Sequence, residues 1–214
     1  MANLLLETET EAFVEGRIVH VGARAIPFAR FLEMAEGRWM ELVDGIVVEK
    51  PMVQLDHELC SGWLYRVIGD YVEEHKMGRM LSSRIMVQTN EFGGRMPDLL
   101  FVRQERLSIV QQKAVYGAPD LVIEIVSPND RPSDLRALEA DYLRLGVAEL
   151  VFIELRKQEI RLLRKRDGGY EESVVTSGPV AFEGIEGLTL QTEWMLQEPR
   201  PGVRTLLNSL LPPC

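Results

Sequence analysis

Three carboxylates occupy positions where a strand would otherwise be apolar. Asp98 follows Met96-Pro97 and opens the run DLLFV, 98–102. Asp120 follows Ala118-Pro119 and opens DLVIEIV, 120–126, and Glu124 sits inside that second run between Ile123 and Ile125. A charged group within a buried strand is costly unless it is paired or bound to a metal. One loop separates the two runs, so adjacent strands would bring Asp98 and Glu124 together. Two such carboxylates, with water and phosphate oxygens, suit Mg²⁺, and the ion would polarise a phosphodiester and activate a water. The competing reading turns Glu124 outward on a half-exposed strand. Asp120 is expected to fix the start of its strand rather than to act as a ligand.

The elements that must position these groups are legible from periodicity and turn chemistry. PFARFLEMAE, from Pro27, reads as a short helix with Phe28, Phe31, Leu32 and Met34 on one side. WMELVDGIVVEK, 39–50, is two apolar stretches about Asp44-Gly45, a pair that favours the tight turn of an antiparallel hairpin. Residues 55–75 carry Leu55, Leu59, Trp63, Leu64, Val67, Ile68, Tyr71 and Val72 at helical steps. Residues 80–89 look like one strand, followed by a turn at Asn90. A loop of about fifteen residues then joins the two acid-bearing strands. Pro132 is placed to open a helix over 134–146, with Leu135, Leu138, Tyr142 and Leu145 on its apolar face and Gly146 as its stop. An apolar strand, 149–155, a charged strand, 156–166, and a further strand after Asp167-Gly168-Gly169 complete the series. The order defines an α+β chain with a mixed sheet.

Composition narrows the function classes. The chain has 214 residues, enough for one domain with extensions, and we expect an arm at 1–26, a domain at 27–190 and an extension at 191–214. A net charge of −9 does not advertise wide electrostatic contact with nucleic acid. The dense basic stretch, RKQEIRLLRKR at 156–166, would either follow a phosphate backbone or protect a solvated edge strand. No run is long and apolar enough for a membrane span, and the start lacks the pattern of a secretion signal. The two cysteines, Cys60 and Cys214, make a disulfide framework improbable and favour the cytoplasm.

PDLLFV, then GAPDLVIEIVSPNDRPSDLRALEADYLRLGVAEL, together with the upstream MELVDGIVVEKP hairpin and His57 at a helix start, resembles the Uma-two family within the PD-(D/E)XK nuclease superfamily. The resemblance covers roughly residues 27–175 and implies a restriction-endonuclease-like mixed β-sheet flanked by helices. It implies a metal-dependent endonuclease acting on nucleic acid, DNA first, as a homodimer. Leu206, Leu207, Leu210 and Leu211 would offer apolar surface for that contact.

By the same resemblance, Asp98 and Glu124 hold Mg²⁺ or Mn²⁺, and the carbonyl of Ile125 completes the shell. Glu41 would approach from the first hairpin as an accessory acid, and His57 would cap its helix or contact substrate. The superfamily lysine is missing. Its position two residues after Glu124 is Val126, and the alternative on the following helix, four residues before Tyr142, is Leu138. Arg131 is the nearest candidate for a migrated cation, whereas Arg136 points elsewhere on the helix. The apolar helix face favours a packed Leu138 and a cleft without a cation. That arrangement would make the chain a catalytically silent binding or assembly module. A phosphoesterase for smaller substrates is a third reading. Trp39, Trp63 and Trp194 read as core or interface residues.

Overall fold

The computed structural model describes residues 10–14, 17–21, 24–50, 52–82, 85–128 and 130–210. In chain order these form β1 (Thr10–Val14), β2 (Arg17–Val21), α1 (Phe28–Met34), β3 (Met40–Val43), β4 (Ile46–Glu49), α2 (Leu55–Glu74), β5 (Gly78–Ser82), β6 (Met86–Asn90), β7 (Gly93–Arg95) and β8 (Leu99–Arg103). A 3₁₀ turn at Gln104–Ile109 leads to β9 (Ala114–Tyr116), β10 (Leu121–Val126), α3 (Pro132–Leu145), β11 (Glu149–Glu154), β12 (Glu159–Arg166) and β13 (Gly169–Val175). The chain closes with β14 (Pro179–Ala181), β15 (Thr189–Gln191), α4 (Thr192–Leu196) and α5 (Val203–Leu210).

Two sheets organise the fold. One has the order β1-β2-β4-β3-β7-β6-β9, the other β13-β12-β11-β10-β8-β5. The second is mixed, with β10 parallel to β11 and antiparallel to β8. Side chains alternate across it with the two-residue period of a strand. Leu121, Ile123 and Ile125 of β10 face a core built with α2, α4 and α5. Val122 faces the other way, into a core shared with Leu138 and Tyr142 of α3. Glu124 has the parity of Val122, so it lies on the α3 side. The chain leaves the first sheet at Arg95 and enters the second at Leu99, and Met96-Pro97-Asp98 is that crossing.

The Asp-Gly hairpin forms as expected, with β3 and β4 paired from Val43↔Ile46 to Met40↔Glu49. Asp44 has φ 50° and Gly45 φ 78°, the left-handed pair that a two-residue hairpin turn requires. Met40, Leu42 and Val47 pack with Ile26, Phe28 and Phe31 of the α1 segment, which leaves Glu41 and Val48 on the opposite face.

Several expectations are revised. The single strand expected at 80–89 is two strands in different sheets, because β5 pairs with β8 while β6 pairs with β7 and β9. The fifteen-residue loop contains the 3₁₀ turn and β9, and Asp120 ties it down by accepting the Arg103 amide at 2.9 Å and the Arg106 guanidinium at 2.6 Å. Within the expected N-terminal arm, β1 and β2 form a hairpin that extends the first sheet. Within the expected C-terminal extension, Leu206 and Leu207 are buried in this chain's own core beside α2, so they are not free apolar surface; Leu211 lies outside the described residues. Trp63 donates to the Pro201 carbonyl at 2.8 Å and fastens the same segment.

The basic stretch serves the fold. Arg161 meets Glu139 at 2.6 Å, Arg164 meets Glu149 at 2.9 Å, and Arg166 meets Glu183 at 2.8 Å and Glu171 at 2.9 Å. β12 is not an edge strand, since β13 covers its outer side.

The hairpin turn is a place where the packing is testable. A side chain at Gly45 would meet the Cβ of Ala25 at 2.5 Å and would have to hold a left-handed conformation. Gly45→Ala is therefore expected to destabilise the protein by about 1–3 kcal/mol, read as a lower urea midpoint at unchanged slope. An unchanged midpoint would show that the turn does not need glycine.

Candidate active site

The crossing between the sheets opens into a cleft. It is lined by Glu41, Val48 and Lys50 of the hairpin, Arg95, Asp98, Glu124 to Ser127, His57 at the start of α2, and Asp134, Leu135 and Leu138 of α3, among others. The enclosed space is about 80 Å³, room for a hydrated ion or a few waters, so a polymeric substrate would reach it from the open side.

Asp98 and Glu124 are brought together by register. β8 and β10 pair as Phe101↔Leu121, Leu100↔Val122 and Leu99↔Ile123. Asp98 directly precedes Leu99, so the same register continued by one step would set it opposite Glu124, and directly opposed residues of an antiparallel pair share a face. Both carboxylates are buried. Asp98 Oδ2 accepts the Ile125 amide at 2.8 Å and lies 3.0 Å from His57 Nε2. Tyr142 donates to Glu124 Oε1 at 2.8 Å. The backbone N–H and C=O of one strand residue point to the same edge, so the Ile125 carbonyl faces the side from which Asp98 approaches.

The two acids differ in proton affinity for identifiable reasons. Burial raises that of Asp98, but the hydrogen bond from His57, the charge of Lys50 and the Ile125 amide outweigh it, and the carboxyl ends below its ordinary value. For Glu124, burial and then the charge of Asp98 act in the same direction. Lys50 and the Tyr142 hydroxyl do not offset them, and the carboxyl is held well above its ordinary value of 4.5. Burial and mutual repulsion thus push the two carboxyls apart in proton affinity, with Asp98 favouring its anion and Glu124 its proton. The His57 ring is pulled down by burial and up by Asp98, with a net increase in basicity.

Glu41 is committed elsewhere. Its Oε1 accepts the Met96 amide at 3.0 Å and its Oε2 the Arg95 guanidinium at 3.1 Å. Arg95 also donates through Nε to Asp141 of α3 at 2.7 Å. Burial raises the Glu41 carboxyl, but Lys50, Arg95 and the Met96 amide bring it below its ordinary value. Glu41 thus supports the crossing while its side chain borders the cleft. Among the described residues, no three His, Cys, Asp or Glu side chains converge as a metal cluster, so a divalent ion here would rest on two carboxylates and backbone or water oxygens. That oxygen set suits Mg²⁺, which retains several waters.

The cleft contains a cation that sequence reasoning missed. Lys50 follows β4, and its Nζ donates to the Met96 carbonyl at 2.8 Å and lies 3.5 Å from Glu41 Oε1. The expectation of a cleft without a cation is therefore overturned. The signal was in the hairpin: an Asp44-Gly45 turn sets Glu41 opposite Val48, and the two-residue period puts Lys50 on that same face. Leu138 is packed in the α3 core and borders the cleft. Arg131 immediately precedes α3 and is not among the residues lining the cleft. Arg136 is likewise outside that lining.

The mixed sheet, the flanking helices and the acid pair at the crossing define a protein of the nuclease-fold class. A family model described as "Putative restriction endonuclease", Uma2, matches residues 28–195, and the chain belongs to that family. A solved structure from Anabaena variabilis ATCC 29413, described as a "putative nuclease belonging to DUF820", is similar with a TM-score of 0.64 and 20% identity. The match covers 87% of this chain and 99% of that one. No curated protein matches this chain. Among the described residues, no helix is long and apolar enough to cross a membrane.

The raised proton affinity of Glu124 has a measurable consequence. A carboxyl whose proton affinity rises on folding leaves the native state binding more protons than the unfolded chain, from pH 4.5 up to the raised value. Stability therefore falls as pH rises through that window. In EDTA, Glu124→Gln is expected to melt above the parent protein at pH 8, with the gap closing toward pH 4.5. A variant that melts below the parent at pH 8 would mean that the folded protein favours the Glu124 anion.

Proposed function

We propose that this protein is a metal-dependent endonuclease that hydrolyses phosphodiester bonds in nucleic acid, with DNA as the first substrate to test. The observation that carries this reading is the meeting of two buried carboxylates, Asp98 and Glu124, in one cleft at the crossing between the sheets. Asp98, Glu124 and the Ile125 carbonyl would hold Mg²⁺ or Mn²⁺. When bound, the ion polarises the phosphoryl oxygen and lowers the pKa of a coordinated water. The protein's own groups orient the site: His57 and the Ile125 amide fix Asp98, the Tyr142 hydroxyl fixes Glu124, and Glu41 with Arg95 holds the crossing that carries Asp98.

Two finer elements belong to the same reading. A homodimer would present two sites to the two strands of a duplex. The exposed side chains of Met52, Leu55 and Leu59, of which Met52 also lines the cleft, favour a contact near its mouth. The cytoplasm suits a chain with two cysteines, one of them the free and buried Cys60.

Plasmid and single-stranded DNA incubated with Mg²⁺ or Mn²⁺ test the proposal. Cleavage by the parent should fall by roughly 100-fold or more in Asp98→Asn and in Glu124→Ala, and EDTA should abolish it. A parent that binds DNA without cutting it under any of these conditions would instead favour a silent binding module.

A further inference from the structure

We propose that the Lys50 ammonium is a catalytic group of this cleft, the cation that contacts the non-bridging oxygens of the scissile phosphodiester. The inference rests on the reading of the cleft as a phosphodiesterase site, and it adds the group that meets the substrate's charge. Charge balance makes the need explicit. Asp98 and Glu124, once deprotonated, neutralise a divalent ion and leave nothing to offset the phosphodiester anion or the further negative charge that develops as water attacks.

Among the described residues, Lys50 and Arg95 are the lysine and arginine that line the cleft. Arg95 is locked, because Glu41 takes its Nη1 at 3.1 Å while Asp141 takes its Nε at 2.7 Å and stands 2.6 Å from its Nη2. Lys50 is held differently. An ammonium has three donors; the Met96 carbonyl takes one at 2.8 Å, and the Glu41 contact is long at 3.5 Å. The side chain remains about a quarter exposed, so donor capacity faces the cleft. Its stem is also well anchored, since the Lys50 amide donates to the Trp39 carbonyl at 2.8 Å and extends the β3–β4 pairing. The Met96 carbonyl that receives the ammonium lies two residues from Asp98. Lys50 is thus tied to the same stretch of backbone that carries the first acid.

Leu138 borders the same cleft from α3, which supplies a second-site test. Lys50→Met and the double variant Lys50→Met/Leu138→Lys would be compared with the parent in three assays: plasmid cleavage, Mg²⁺ binding by calorimetry, and binding of inorganic phosphate to the Mg²⁺-saturated protein. In Lys50→Met, cleavage should fall about 100-fold and phosphate affinity about tenfold, with Mg²⁺ still bound. The double variant should regain part of both losses. The proposal is overturned if Lys50→Met cuts and binds phosphate like the parent, or if the Mg²⁺-saturated parent binds no phosphate. It is overturned equally if Lys50→Met loses Mg²⁺ together with phosphate and the lysine at 138 restores neither, because Lys50 would then be structural. A parent that binds phosphate but cuts no DNA would sink the endonuclease reading alone. The phosphate titrations would still decide whether Lys50 meets the anion.

Discussion

Holding two buried carboxylates side by side in one cleft is the constraint around which this fold is arranged. Glu124 is buried within the otherwise apolar β10 and Asp98 is buried just ahead of β8, and neither has a bidentate arginine. Each is instead given neutral or shared donors: the Ile125 amide and His57 for Asp98, the Tyr142 hydroxyl for Glu124. Such donors orient a carboxylate without extinguishing its charge, which leaves lone pairs for a metal. The cost is visible in the raised proton affinity of Glu124, and it is the kind of local strain that functional sites carry.

The surrounding network fixes the geometry of that pair. Arg95 bridges Glu41 on the hairpin to Asp141 on α3, and Asp141 directly precedes Tyr142 in the chain. The hairpin, the crossing and the helix that orients Glu124 are therefore joined through one buried guanidinium. Breaking a buried pair of this kind by removing one partner leaves an uncompensated charge, so the network favours one relative placement of the two sheets. Arginine suits the role because its planar fork serves two acceptors at once and does not deprotonate.

Much of this arrangement could be read from the sequence, and the parts that could not have physical causes. The Asp-Gly turn, the α2 and α3 faces and the two acid-bearing strands were legible because each follows a local rule of turn chemistry or side-chain period. The break between β5 and β6 was not, because pairing partners far away in the chain decide which sheet a short apolar run joins. Lys50 was not legible as a site residue because it reaches the cleft from a hairpin far in sequence from Asp98 and Glu124. The C-terminal leucines were assigned to a partner because a proline-rich tail seldom signals that it will fold back onto a helix of its own chain. The basic stretch of β12 showed its charge in the sequence, but the acids that consume that charge lie on α3, β11, β13 and the segment after β14.

The measurement that bears most directly on the central claim is an anomalous difference map from crystals of this protein soaked in Mn²⁺. The account predicts one strong peak in the cleft, contacted by carboxylate oxygens of both Asp98 and Glu124 and absent from crystals of Glu124→Gln. A cleft without a peak, in crystals where Mn²⁺ is seen elsewhere on the protein, would contradict it. So would a peak that survives unchanged in Glu124→Gln.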